Sequence, residues 1–156
     1  CIVTLIYIVY NWESVRKNEG YPETLSDTYY LWPKWIFPAV MTLVGFCLLP
    51  TWLDATEGSN LQFLSFISCV GLIFVGCVPD FRNDKNQYKI HVICGYLAAG
   101  TALLSLLFVL GNWWIFPIML LLNILPDVIS DIKRLKEHYI YHIEDAIIFS
   151  VLLSVL

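Results

Sequence analysis

Long, nearly uninterrupted runs of apolar residues constrain this chain more than any motif in it. Six can be marked out: Cys1 to Tyr10, Leu31 to Trp52, Leu61 to Val78, Ile90 to Leu110, Trp113 to Leu125 and Ile143 to Leu156. Several approach the ~20 residues that an α-helix needs to cross the hydrocarbon core of a bilayer. In hydrocarbon each backbone polar group must find its partner inside its own segment, which selects helices. No barrel-type alternation is present. Composition agrees: 58% of the 156 residues are hydrophobic and 14% charged, where a soluble domain carries about 25% charged residues. The expected fold is all-α, a polytopic transmembrane helix bundle of about six spans, forming one domain over residues 1–156. The first run, 1–10, is too short to cross, so its helix is expected to be truncated at its start. The last, 143–156, is expected to tilt or to continue past Leu156.

Consecutive spans alternate in direction, so connections 11–30, 79–89 and 126–142 share one face, while 53–60 and 111–112 share the other. All nine basic residues lie on the first face or at its boundary: Arg16, Lys17, Lys34, Arg82, Lys85, Lys89, Lys133, Arg134 and Lys136. Lysine and arginine in short loops are retained in the cytoplasm, which makes that face the cytoplasmic one. Trp12, Tyr29, Tyr30, Trp32 and Trp35 fall at this inner boundary, and Trp52, Trp113 and Trp114 at the outer one, as interfacial anchors do. The net charge of −4 leaves no basic stripe for phosphates, which excludes a nucleic-acid partner. Membrane lipids are the expected surroundings. Gly95/Ala99 and Ala98/Ala102 form small-xxx-small pairs that let helices approach closely, within the chain or in a homo-oligomer. Cys47, Cys69, Cys77 and Cys94, like Cys1, sit in apolar runs and read as small hydrophobes. Pro33, Pro38, Pro50, Pro117 and Pro126 mark helix starts, ends or kinks.

The three histidines, His91, His138 and His142, all map to the basic face. His138 and His142 stand four apart and share a helix face if that segment is helical, with Asp145 three further on. Such a pair plus His91 offers three nitrogens to one zinc ion, leaving a fourth position for a water that the metal would make nucleophilic. The bland alternative is that imidazoles rest comfortably at headgroup level. Asp80, after Pro79, could orient a metal-bound imidazole or act as a general base; the same Pro-Asp pair, like Pro126-Asp127, could simply stop a helix. Ser26 could hydrogen-bond a substrate or a metal-bound water, or, like Asp27, cap the second span. Glu144 and Asp145 fit the dipole at the start of the last helix. Asp131, Lys133, Arg134, Lys136 and Glu137 read as a solvated charge run, and Asp54 and Glu57 as solvated loop residues. The centres of the spans hold no ionisable residue, which speaks against a transporter or channel.

Two resemblances follow from these residues. The segment Leu25-Ser26-Asp27-Thr28-Tyr29-Tyr30, the Val78-Pro79-Asp80 end of the third span and Ile90-His91 resemble uncharacterised bacterial multi-pass proteins with a Ser-x-Ser-x-x-Tyr-Tyr-like segment. That likeness implies the plasma (inner) membrane of a bacterium. His91 with the His138-x-x-x-His142 pair resembles the superfamily of alkaline ceramidases and adiponectin-type receptors. It implies zinc held by His91, His138 and His142, with Asp80 and Ser26 as polar partners, and hydrolysis of a lipid amide. The alternative function is a non-enzymatic bundle that binds a lipid or small molecule, or assembles with a partner.

Overall fold

The computed structural model describes residues 2–130 and 132–155. Cys1, Asp131 and Leu156, and the Arg134 side chain, lie outside the described residues, so the readings made of them stop there. All described secondary structure is helical: α1 Ile2–Lys17, a 3-10 turn Leu25–Asp27, α2 Thr28–Leu31, α3 Ile36–Ala55, α4 Phe63–Cys77, α5 Lys85–Phe108, α6 Ile115–Ser130 and α7 Ile132–Ser154. Helices α3 and α5 are long and apolar enough to cross a membrane; α4 is apolar and shorter, as is α6 over Ile115–Ile129.

Two sectors compose the molecule. In the first, α4 packs between α3 and α5, and glycines make the close approach. A Cβ on Gly71 of α4 would lie 3.0 Å from the Cys94 carbonyl oxygen and 3.1 Å from the Ala98 Cβ of α5. On Gly76 it would lie 3.0 Å from the Met41 Cβ of α3. Ala98/Ala102 is thus a packing face, with Ala102 buried, whereas Gly95 has open space and takes no part in it. Hydroxyls inside this sector answer one another: Ser65 and Ser105 are 3.1 Å apart, and Ser68 donates to the Ala98 carbonyl at 2.8 Å. The second sector is α6 against α7, joined by α1 and the segment 18–31, with α7 reaching α5 and α1 reaching α3.

Element boundaries differ from hydropathy where polar residues find buried partners. Helix α1 continues past Tyr10 to Lys17, with Asn11 and Ser14 buried. Helix α7 begins at Ile132, so 132–142 is helix rather than connection, and the histidine pair lies within it. Glu144 and Asp145 consequently stand in mid-helix, where the terminal dipole does not explain them. Pro50 and Pro126 lie inside α3 and α6 instead of ending them. Trp52 is buried within the chain and Cys77 is exposed, while Cys69 is buried as expected of a small hydrophobe. Lys133, Lys136 and Glu137 are exposed on the first turns of α7, and Asp54 and Glu57 are exposed. After α1 the chain reverses through Glu19, whose φ of +52° is left-handed, and the Gly20 N–H closes onto the Val15 carbonyl at 3.1 Å. That reversal lays residues 21–28 against α5 and α7.

Candidate site where three connections meet

The three basic connections converge at one end of the molecule. Residues 21–30 lie at the centre. Arg82 of the 79–84 loop pairs with Asp27 at 2.7 Å and with Glu23 at 3.3 Å. Tyr30 donates to Asp80 and accepts from the Arg82 backbone N–H at 3.0 Å. On the α7 side, His138 Nδ1 meets the Pro22 carbonyl at 3.2 Å, the Leu25 N–H donates to Glu144 at 2.7 Å, and the Tyr141 N–H points to the Glu23 carbonyl at 3.3 Å.

Local sequence chemistry fixes the centre. Thr24 caps the 3-10 turn: its hydroxyl accepts the Asp27 N–H at 3.2 Å, and the Asp27 carboxylate accepts the Thr24 N–H at 3.1 Å. This reciprocal box satisfies two donors that a helix start leaves orphaned. Capping therefore falls to Thr24 and Asp27, and the Ser26 side chain is left for another partner. That partner is His91 of α5: Ser26 Oγ lies 2.8 Å from Nε2. The other ring nitrogen, Nδ1, lies 2.9 Å from the Val78 carbonyl oxygen. A carbonyl only accepts, so Nδ1 carries the proton and Nε2 accepts from the serine hydroxyl. Phe81 stacks on the imidazole at 4.4 Å between centroids. Asp80 is not the group that orients His91. Its carboxylate accepts from Asn83 at 2.6 Å and from Tyr30 at 3.4 Å, and its own N–H donates to Gln87 at 3.2 Å, so it shapes the loop that holds Phe81 and Arg82.

The late histidines occupy a separate position. His142 is fully buried, with Nε2 3.0 Å from the Asp127 carboxylate and Nδ1 without a hydrogen-bond partner among the described residues. Tyr21 meets its ring edge-on at 4.6 Å. The Tyr21 phenol is pushed up in pKa, first by burial and then by Asp127 and Asp145, so it remains a neutral donor. Asp127 thus has a specific buried partner rather than only ending a helix. The carboxylate–imidazole pair is the arrangement that often backs a metal-ligating histidine. Three-histidine zinc ligation would require His91 to leave its present partners. Both nitrogens of His91 are engaged by Ser26 and Val78, and no group of three metal-ligating side chains occurs among the described residues.

One buried network has no counterpart in the expectations from sequence. Asp145, 3% exposed, accepts from the Tyr7 hydroxyl at 2.9 Å and from the Asn11 amide, and Asn11 in turn accepts from Tyr141 at 2.8 Å. Beside it, Tyr10 hydrogen-bonds Thr28, Thr28 donates to the Leu25 carbonyl at 2.6 Å, and Trp32 donates to Ser14 at 2.8 Å. Its signal was present in α1: Tyr7, Asn11 and Ser14 recur at helical spacing and make one polar stripe. No protein family, curated protein or solved structure matches the chain.

Proposed function

We propose that this chain is a multi-pass integral membrane protein that hydrolyses an acyl lipid from the face bearing its basic connections. Support for the membrane comes from outward apolar side chains on several helices, among them Leu5, Val9, Ile93, Leu97, Phe108 and Leu121. In water, monomeric proteins keep contiguous apolar patches to about 300–600 Å². The basic connections face the cytoplasm in this reading because lysine and arginine are retained there. The hydrolytic part is carried by one observation: a buried hydroxyl, Ser26, hydrogen-bonded to a buried imidazole, His91, where the three basic connections meet. A hydroxyl next to an imidazole supplies the proton traffic that breaking an amide or ester bond requires. At headgroup depth such a pair would meet the linkage between acyl chain and headgroup.

Zinc, implied by the likeness of the histidine pattern, would supply a nucleophilic water if bound. Its ligands in this chain would be His138 and His142, the latter held by Asp127, whereas His91 would have to leave Ser26 and Val78 to join them.

Two measurements test the reading. Single cysteines at positions 16 and 57, in a background without the native cysteines, are expected to label from opposite sides of the membrane. Labelling from one side removes the multi-pass arrangement. Purified full-length protein in nanodiscs is expected to release fatty acid from an N-acyl or O-acyl lipid, followed by mass spectrometry. Substituting His91→Ala should lower that release by about 100-fold or more. Release from neither lipid class removes the hydrolase, and stoichiometric co-purified lipid would then favour the non-enzymatic binding bundle.

A further inference from the structure

We propose that Ser26 is the nucleophile of this site and His91 its general base, so that the acyl group passes through a covalent ester on Ser26. The inference rests on the hydrolase reading and gives it a mechanism. Its first support is the tautomer. The Val78 carbonyl, 2.9 Å from Nδ1, holds the proton on that nitrogen and turns the bare lone pair of Nε2 toward Ser26 Oγ. The serine is therefore the donor in the 2.8 Å contact, which is the polarity a nucleophile needs.

The second support is the contrast with other hydroxyls of the chain. Ser14, Ser150, Ser154 and Thr101 each donate to a carbonyl one helical turn back, the usual way to satisfy a hydroxyl on a helix. Ser26 instead sits on a capped turn whose box is completed by its neighbours, and it donates to a base from a different helix. The third support is fixation. Stacking by Phe81 and the carbonyl of Val78 hold the imidazole from two directions, as the third member of a nucleophile–base–orienter set does. The Asp27 carboxylate, on the adjacent residue and ion-paired to Arg82, adds a nearby negative charge for the cationic ring formed in the reaction.

The step balances without a metal or redox partner. As Ser26 Oγ bonds to the acyl carbonyl carbon, its proton passes to His91 Nε2. The bond to the leaving amine or alcohol breaks, and that group departs with the proton from Nε2. Water then attacks the Ser26 ester and gives a proton to Nε2. The ester bond breaks, the fatty acid leaves, and the proton returns to Ser26 Oγ.

The test is covalent trapping of the full-length, detergent-solubilised protein with a fluorophosphonate, read by intact mass and peptide mapping. One adduct per chain on Ser26 is expected, absent in Ser26→Ala and in Ser26→Cys, the second keeping a group of similar shape if the alanine variant does not fold. In His91→Gln the labelling rate should fall by about 100-fold or more. Folded wild-type protein that takes no adduct, an adduct that survives in Ser26→Cys, or a His91→Gln rate equal to wild type would each overturn the assignment. The two readings separate in the same samples. Fatty-acid release without an adduct overturns the serine nucleophile and leaves the hydrolase standing. An adduct on Ser26 without lipid turnover leaves the nucleophile and removes the lipid.

Discussion

The α3–α4–α5 sector and the α1–α7 sector solve the same problem by opposite means. In the first, helices meet through glycine and alanine, Gly71 against Ala98 and Gly76 against Met41, with a few hydroxyls paired inside. In the second, helices meet through long polar side chains, Tyr7 and Asn11 of α1 reaching Asp145 and Tyr141 of α7. Close packing holds backbones at one distance and is indifferent to protonation. A buried carboxylate network fixes which side chain faces which, and it has to be satisfied in full. The lesson is a division of means: the first, dry sector is set by close packing and the second, wet sector by buried polar contacts, while the segment 21–28 is held from both, by His91 and Arg82 on one side and by Tyr10 and Glu144 on the other.

The largest way to break that division is Asp145→Ala. It strips the acceptor from the Tyr7 hydroxyl and the Asn11 amide together, and unsatisfied buried donors cost about 1–3 kcal/mol each in water-soluble proteins. Hydrogen bonds between helices in lipid are worth less, averaging about 0.6 kcal/mol. A loss of about 2 kcal/mol is expected, seen as a lower unfolding midpoint of the detergent-solubilised chain. Asp145→Asn keeps one acceptor oxygen and should retain most of the stability. A variant Asp145→Ala as stable as wild type would show that the wet sector is held by packing after all.

Next in size is Gly71→Ala. The new methyl would sit 3.0 Å from a carbonyl oxygen and 3.1 Å from the Ala98 Cβ, so α4 and α5 must separate by a few tenths of an ångström. Overpacking of this kind costs about 1–3 kcal/mol, and the lower half of that range is expected for one methyl. Gly95→Ala, on α5 and with nothing within 4 Å of the new methyl, is the internal control and should lose nothing. Equal losses at both positions would mean that the dry sector does not depend on this close approach.

The two sectors also differ in how far they could be read from residues alone. Helices α3, α4 and α5 follow from hydropathy because each has a long apolar stretch, and the segments shift only at their ends, α5 starting earlier, at the polar residues Lys85 to Lys89. The expectation that 11–30, 79–89 and 126–142 lie on one side comes from alternating the apolar runs and placing lysine and arginine; the contacts of Arg82 and His138 with residues 22–27 show that these segments touch. Helix α7 was hidden because its first turns carry charge and its histidines are polar. Their burial depends on Pro22, Tyr21 and Asp127, and nothing local in 132–142 announces those partners. The role of Asp145 is hidden for the same reason, its partners Tyr7 and Asn11 standing at the far end of the chain. At the candidate site, Ser26 and His91 are both legible as polar residues on the basic face. The orienting group is not, because it is the backbone carbonyl of Val78, and a backbone atom leaves no trace in composition. Three histidines on one face resemble a metal set, and sequence cannot show that both nitrogens of His91 are engaged, by Ser26 and by Val78.

The smallest expected effect sharpens the comparison at its rim. Arg82 reaches two carboxylates, Glu23 at 3.3 Å and Asp27 at 2.7 Å, and the side chain of Glu23 is 71% exposed whereas that of Asp27 is 9% exposed. Exposed ion pairs are worth about 0–1 kcal/mol, because water screens both charges and two long side chains must be held still. Glu23→Ala should therefore change the unfolding midpoint by no more than an equivalent of about 0.5 kcal/mol. Asp27 also accepts the Thr24 N–H within the capping box, so Asp27→Ala removes a cap as well as a pair, and caps are typically worth about 1 kcal/mol. If Glu23→Ala proved as damaging as Asp27→Ala, the Ser26 turn would be held by surface charge rather than by its buried box. The wet sector would then owe its order to groups that salt can screen, and its stability in detergent should fall steeply between low and high ionic strength.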